Sequence, residues 1–492
     1  MANGSNSNPG ESAASREDRK QAMRNRDREL VVLASGDIRF SPDEMVPGPV
    51  IEAVGIHGKS DYRVRPLLGL HPYRMKLRLT PSFAEAHPAA KLPHYFRVHA
   101  PNEAIEELAS RLTRSQAVES AYVKPAPEPA GLLVPTVALS AEAPSVTPDF
   151  TPRQGYLDPA PGGVDAHYAW TLAGGGGAGV QIMDVEAAWR FTHEDLLVNQ
   201  GGLIGGAPEP DIDYRNHGTS VLGELSADRN GFGVTGISPD ATVRAVSFQG
   251  GLGIAAAIRT ATDALSAGDI LLIELHYPGP RYGFQAPAGQ QGYIPVEWWP
   301  DNLDVIRYAT AKGIVVVEAG GNGSENLDDP LFDQNPQAPP FGPFPASWRN
   351  PFRRNPVDSL AILVGAGAPP SGTHGNWGPD RSRLDFSNYG QLMDVQAWGR
   401  EVTTTGGGDL QGGSDENLWY TDTFAGTSSA SPIVVGALSS VQGVLRAANR
   451  PLLTPATARA LLRATGSPQQ DGPGHSATQR IGSRPDLRQM IQ

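Results

Sequence analysis

The sequence predicts an α/β protein, a parallel sheet with helices on both faces, preceded by a small α+β module. Three observations predict it. Short β-branched runs alternate with helical stretches through residues 154–492. A strand–helix–strand pattern occupies residues 30–126. Prolines crowd residues 127–153 between the two (Pro127, Pro129, Pro135, Pro144, Pro148, Pro152), as in a semi-extended linker.

In chain order, residues 1–29 are polar and then highly charged, with too little apolar surface to fold alone. Met75–Leu79 and Tyr95–His99 alternate apolar and polar residues as strands do. Ile105, Leu108, Ala109 and Leu112 fall on one face of a helix that Asn102 is placed to cap. Residues 117–123 read as a returning strand. The larger region then offers strands at 180–183, 242–248, 270–275, 314–318 and 360–365. Helices are expected after His217 and over 254–267, 303–312 and 431–448. A final helix starts at Thr454-Pro455, with proline at its first position. In such a sheet the functional groups gather at the C-terminal strand ends. Two Pro- and aromatic-rich stretches, 277–302 and 324–357, follow elements at those ends; they either shape access to the site or decorate the surface.

The chain has 492 residues, enough for more than one domain and a large core. A net charge of −12 argues against generic nucleic-acid binding. With no cysteine there are no disulfides and no thiolate-bound metal. The first residues lack the apolar core of a secretory signal, and no stretch is expected to span a bilayer, so no membrane partner is expected. A cytoplasmic protein and one exported by a non-standard route both fit.

Three motifs carry the chemistry. Phe424-Ala-Gly-Thr-Ser-Ser-Ala-Ser-Pro432 sets a serine on a tight turn ahead of an apolar helix, whose N-terminal end favours a developing oxyanion. His217-Gly-Thr-Ser-Val-Leu-Gly223 offers an acid–base group that titrates near neutrality. Val180-Gln-Ile-Met-Asp184 is a strand ending in a carboxylate. Asp, His, Ser is the chain order of the subtilisin triad. From about Gln154 onward the chain resembles the subtilases, the subtilisin-like serine peptidases. Lys312-Gly-Ile-Val-Val-Val-Glu-Ala-Gly-Gly-Asn322 adds a buried strand and a turn bearing an amide; Asn322 is an oxyanion donor by resemblance, or a turn residue by its Gly-Asn-Gly setting.

The resemblance implies a subtilisin-like fold and a serine endopeptidase acting on protein or peptide substrates, with no cofactor in the chemistry. Ser428 is the nucleophile, with Ser429 its rival. His217 is the base and Asp184 its orienting carboxylate, while Asn322 and the Ser428 N–H hold the oxyanion. Glu274, Leu275 and His276 stand where subtilases pair with substrate backbone. Asp195 and Asn230 match positions that hold structural calcium in many subtilases, with Gln154 and the carbonyls of Asp228, Phe232 and Val234 completing an all-oxygen set. The 30–126 module is similar in layout to the family's inhibitory prodomain, an intramolecular partner; an unrelated accessory domain fits the pattern equally.

The chain departs from the family pattern in three places. Val185-Glu186 follow Asp184 instead of Ser or Thr and Gly, and Glu186 either strengthens His217 as a base or faces solvent. Ser220 replaces a frequent histidine. Glu274-Leu-His276 replaces Ser-Leu-Gly. A catalytically impaired binding protein on the same fold is the alternative function. An esterase is disfavoured because no Gly-x-Ser-x-Gly surrounds Ser428.

Overall fold

In the computed structural model, the described residues are 27–55, 61–79, 88–131, 142–371 and 374–492, with a few positions between 18 and 25. They divide into two compact units. The first comprises residues up to Pro127 together with Pro210–Ile212 and Asn335–Trp348; the second comprises the rest.

The first unit is an antiparallel sheet backed by helices. Its strands β1 (Glu29–Ala34), β2 (Arg63–Pro66), β3 (Tyr95–His99) and β4 (Val118–Lys124) lie in the order β2-β3-β1-β4. Helices α1 (Gly48–Val54), α2 (Pro72–Leu79) and α3 (Ile105–Leu112) complete it. The i, i+3, i+4, i+7 stripe of α3 is buried, as its spacing predicts, and joins Leu30, Val32, Phe96 and Val98 in one core.

Two local expectations fail here. Met75–Leu79 is helical. Pro72 presets the first helical turn, and Met, Lys, Leu and Arg favour helix while no β-branched residue favours strand. Asn102 makes no cap; it opens a short 3₁₀ turn ahead of α3 instead.

The second unit carries seven parallel strands: β6 (Gln181–Glu186), β7 (Gln200–Gly205), β8 (Thr242–Ser247), β9 (Ile270–Ile273), β12 (Val315–Ala319), β13 (Ile362–Gly367) and β14 (Val395–Trp398). Their order is β14-β13-β12-β9-β6-β8-β7. Every residue of β9, β12, β13 and β14 is buried; β9 and β13 carry no polar side chain, as expected of strands covered on both faces, while β12 and β14 each bury one polar side chain, Glu318 and Gln396. Two short strands, β5 (Glu128–Pro129) and β11 (Tyr293–Pro295), flank β10 (Leu275–Pro278) in a separate sheet, and β15 (Val402–Thr405) pairs with β16 (Tyr420–Phe424).

The helices of this unit include α4 (Ala166–Trp170), α5 (Ile212–Ser226), α6 (Ile254–Asp263), α7 (Pro300–Ala311), α8 (Thr427–Ala447) and α9 (Pro455–Ala464). α5 starts before His217 and α8 starts before Ser428, so both candidate side chains sit inside helices rather than ahead of them. Contrary to the sequence expectation, α8 is long and apolar enough to cross a membrane. Its apolar window is 89% buried within the fold, as expected of a central core helix. At α9, Thr454 and Thr457 close a reciprocal capping box.

Candidate active site

The site is assembled at the C-terminal ends of β6, β9 and β12 and the N-terminal turn of α8. Gly426 precedes α8 with φ 124°, a conformation open to glycine, and lets the chain turn sharply into the helix. The next two residues, Thr427 and Ser428, begin the first turn. Ser429 Oγ lies 3.0 Å from the Trp398 carbonyl oxygen and 3.1 Å from that of Gly426. It is thus tied to backbone. Ser428 Oγ is buried with no hydrogen-bond partner among the described residues, so the bond to an imidazole that activates a serine is not formed in this geometry.

His217 lies on the second turn of α5, with its ring edge-on to Phe424 at 5.4 Å. Helix and strand approach closely here. A methyl group at Gly218 would fall 2.2 Å from the Ala188 carbonyl oxygen, so glycine is required for α5 to reach the end of β6. That approach brings the imidazole to a carboxylate, but the partner differs from the expected one. His217 Nδ1 hydrogen-bonds Glu186 Oε1. Asp184 Oδ2 accepts instead from Trp189 Nε1 at 2.7 Å. Residues 184 and 186 share a strand face because side chains alternate with period two. Glutamate, one methylene longer and two residues further along, is the group that arrives at the ring. The alternation already placed both acids on one face; the signal overlooked in the sequence was that either could serve.

Burial controls the electrostatics. Asp184 and Glu186 are fully buried, and their pKa values are pushed well above the carboxylate range by desolvation; for Asp184 the neighbouring Glu186 adds to this. Burial also pulls His217 down to about 4, against the negative charge of Asp184, and a carboxylate accepting from Nδ1 acts in the same sense as that charge. The ring is held as the neutral base, with Nε2 free of any partner among the described residues.

Asn322 follows β12 and is held by two donors. Thr427 N and Thr427 Oγ1 each donate to its Oδ1 at 2.9 Å, which fixes the amide orientation and leaves Nδ2 facing the site. That Nδ2 donates to the Ala130 carbonyl oxygen at 2.6 Å, and Ser428 N donates to the same oxygen at 3.1 Å. Two N–H donors from different elements converge on one peptide carbonyl.

The segment bearing that carbonyl lies along the predicted substrate wall. β5 pairs antiparallel with β10, Leu275 opposite Pro129 and His276 opposite Glu128, and Ala130 N donates to the Glu274 carbonyl oxygen at 3.1 Å. Gln290, from the stretch 277–302, donates to the Pro129 carbonyl oxygen at 3.0 Å and accepts from Asn322 at 3.0 Å. The side chains of the wall turn inward. His276 is buried against Tyr293 at 4.4 Å and lowered by burial to about 3. Ser431 Oγ lies 2.6 Å from Glu274 Oε1 and 2.8 Å from the Thr427 carbonyl oxygen. A hydroxyl has one proton to give. Both contacts are satisfied when a protonated Glu274 donates to Ser431, which in turn donates to Thr427. Burial raises Glu274 well above the carboxylate range, as does the nearby Asp184, in agreement with that arrangement.

The residues expected to hold calcium do come together, but their oxygens are already engaged. Asp195 Oδ1 accepts from Asn230 Nδ2 at 2.7 Å and Oδ2 from Val234 N at 2.7 Å. Asn230 Oδ1 accepts from Phe232 N, which fixes its amide with nitrogen toward Asp195. Gln154 bridges both backbone groups of Thr235. Among the described residues no group of three or more acidic, histidine or cysteine side chains could hold a metal. These residues do not fit a cation: a donor amide faces the carboxylate where a ligand oxygen would be required.

Comparison with known proteins places these features in context. The family model described as the subtilase family matches residues 204–482, beginning beyond the strand that carries Asp184 and Glu186. Subtilisin BL of Lederbergia lenta is 27% identical over 270 residues, covering 54% of this chain and 77% of that protein. An intracellular serine protease of Paenibacillus polymyxa is 27% identical over 322 residues, 61% of this chain and 78% of that one. A solved chain among proteases from Pseudoalteromonas arctica covers 70% of this chain and 99% of its own length at 20% identity, with a TM-score of 0.45.

Proposed function

The chain belongs to the subtilase family, and from that premise we propose that it is a serine endopeptidase that hydrolyses peptide bonds in proteins through an acyl-enzyme. The observation that carries this reading is the convergence of Asn322 Nδ2 and Ser428 N on a peptide carbonyl oxygen, beside an unpartnered serine hydroxyl and a neutral histidine. Donors fixed at that oxygen before reaction stabilise the charge that develops on it in the transition state.

Ser428 Oγ attacks the carbonyl carbon while His217 Nε2 takes its proton. The imidazolium then passes that proton to the departing amine nitrogen. Water attacks the ester by the same route in reverse. Glu186 holds the imidazole through Nδ1 and acts as the positioning carboxylate. Asp184 accepts from Trp189 and does not touch the ring nitrogen. The β10 edge takes substrate backbone by strand addition. No metal enters the chemistry.

Treatment with a fluorophosphonate followed by peptide mapping tests the assignment. The expected result is one adduct, on Ser428, and hydrolysis of a denatured protein substrate that falls by roughly 10⁶-fold in Ser428→Ala. Unchanged hydrolysis in that variant, or an adduct on another serine, would refute it.

A further inference from the structure

The loop between β10 and β11 reaches the site through one side chain. We propose that Gln290 is a positioning residue of the peptidase: it binds the carbonyl of the second acyl-side residue of the substrate and, through the same amide, orients the oxyanion donor Asn322. The inference rests on the peptidase reading and deepens it by giving the stretch 277–302 a role in substrate recognition.

Residues Glu128–Gly131 lie along the site as a peptide substrate would, and they supply the register. The Ala130 carbonyl oxygen takes the two oxyanion donors, so Ala130 stands in for the residue whose carbonyl is attacked and Pro129 for the residue before it. Gln290 Nε2 donates to the Pro129 carbonyl oxygen at 3.0 Å and lies 3.4 Å from Glu128 Oε2. Its Oε1 accepts from Asn322 Nδ2 at 3.0 Å. The amide can face only one way. With its ends exchanged, its nitrogen would meet the Asn322 nitrogen and its oxygen would meet the Pro129 oxygen.

An amide nitrogen carries two hydrogens. On Asn322 one goes to the attacked carbonyl and the other to Gln290. Thr427 holds Oδ1, and His276 Nδ1 accepts from the Asn322 backbone N–H at 3.3 Å. Gln290 joins this fixed amide to the substrate strand.

The fold aims the side chain. Gln290 has φ 59°, a left-handed conformation that a non-glycine residue keeps only where its surroundings hold it. Those surroundings are tied to the turn that carries Asn322. Gly292 N donates to the Gly323 carbonyl oxygen at 2.9 Å, and Asn388 Nδ2 donates to the carbonyl oxygens of Tyr293 and Gly320, each at 2.8 Å.

As Ser428 attacks, negative charge grows on the oxygen that faces Asn322 Nδ2. A donor already fixed in direction stabilises it more than one free to rotate. A substrate carbonyl on Nε2 fixes Gln290, and Gln290 fixes that donor. Binding energy from a part of the substrate away from the reacting bond is then expressed in kcat and not in KM alone. Every residue type has this carbonyl, proline included, so the contact favours substrates with a second acyl-side residue without selecting its side chain.

The test is steady-state kinetics of the purified full chain on acetyl-Pro-Ala anilide and on its analogue with sulfur, a weaker acceptor, in place of the proline carbonyl oxygen. The parent should prefer the oxygen substrate by about 5-fold in kcat/KM. Gln290→Ala is expected to lower kcat on that substrate by about 5-fold or more and to lose the preference. Gln290→Met, which keeps the length of the side chain, should behave alike. Asn322→Ala lowers kcat by about 10²-fold, and adding Gln290→Ala to it should lower kcat no further, because the amide it positions is gone. Fluorophosphonate labelling of Ser428 reports that each variant is folded.

A parent that does not distinguish oxygen from sulfur overturns the proposal without any variant. Variants that label on Ser428 and keep the parental kcat, or keep the oxygen preference, overturn it and leave the peptidase reading standing. An equal loss in the Asn322→Ala background does the same, by making Gln290 a packing residue of the loop. A parent chain that neither labels nor hydrolyses any peptide overturns both.

Discussion

Buried carboxyl groups are handled in opposite ways in the two units. In the antiparallel sheet, Glu29 sits beside two cations, Lys124 Nζ at 2.8 Å and the Arg97 guanidinium, and these hold its pKa down to about 2 despite burial. In the parallel-sheet unit, Asp184, Glu186 and Glu274 toward strand ends and Glu224 in the last turn of α5 are fully buried with no lysine or arginine ion pair among the described residues, and all four are raised. The first arrangement is an ion cluster. The second is a set of acids that burial pushes toward the protonated form; Glu224 and Glu274 have no cation to offset that push, and Asp184 and Glu186 have one imidazole. A buried charge is tolerated when paired; otherwise the group neutralises. The difference teaches that burial alone does not assign charge: the neighbours do.

The largest effect should separate the two acids of β6. Glu186→Gln removes the negative charge that stabilises the imidazolium and lets an amide N–H turn toward Nδ1, which favours the wrong tautomer, and is expected to lower kcat/KM by roughly 10⁴-fold. Asp184→Asn keeps a group able to accept from Trp189 and should cost far less, about 10-fold. Steady-state kinetics on a peptide substrate reads both. If the Asp184 variant shows the larger loss, the assignment of the positioning carboxylate reverses.

That contrast marks how far the sequence could be read. The triad order, the Gly-Thr-Ser turn and the buried run before Asn322 point to Ser428, His217 and Asn322 as the proposed nucleophile, base and oxyanion amide, because each role demands a residue type at the end of a recognisable element. The carboxylate was harder to read. Two acids two residues apart lie on one strand face, and their side-chain lengths decide which one arrives. The calcium expectation failed for a related reason: composition offers oxygens but says nothing of the direction in which Asn230 turns its amide. Likewise the alternation at Met75–Leu79 cannot outweigh a proline that starts a helix. The segment Glu128–Gly131 read as linker because two of its four residues are proline or glycine, and a two-residue strand has no periodicity to detect.

The second effect tests the ion cluster. Lys124→Met leaves Glu29 buried with one cation fewer and is expected to destabilise the first unit by about 3–5 kcal/mol. Double substitution with Glu29→Gln should recover a large part of it. The comparison is read by urea denaturation; equal losses in the single and double variants would mean that packing, not charge, sets the cost.

Stability against pH should then differ in sign between the units. Glu29 is lowered, so its contribution is complete above about 4.5 and is lost as pH falls toward 2. In the second unit the raised acids hold protons that the unfolded chain has released, and Asp195 and Glu297, raised to about 7, add to them. Stability there should fall as pH rises from 6.5 to 8, by about 1.4 kcal/mol per pH unit for each proton held in excess. Below 6.5 the buried His193, His217 and His276, lowered to about 4, 4 and 3, work in the other direction, because the unfolded chain then binds their protons. Urea midpoints across this range, followed by a probe in the second unit, should decline toward pH 8. A flat profile would place compensating cations near the acids.

The smallest effect isolates one member of the acid set. Glu274→Gln replaces a protonated carboxyl by an amide of nearly the same shape that still donates to Ser431 Oγ, so packing and the chain of hydroxyl contacts to Thr427 survive. At pH 5 the variant should match the parent in stability within about 0.5 kcal/mol, since both side chains are neutral in the folded state. As pH rises the parent loses stability to the proton that Glu274 must keep, and the variant does not. The variant should therefore gain on the parent by about 1 kcal/mol or more between pH 5 and 8. A gain supports a proton-bearing Glu274. A loss at high pH would mean that the carboxylate form is the one the fold favours, and the contrast with Glu29 would then rest on Asp184, Glu186 and Glu224 alone.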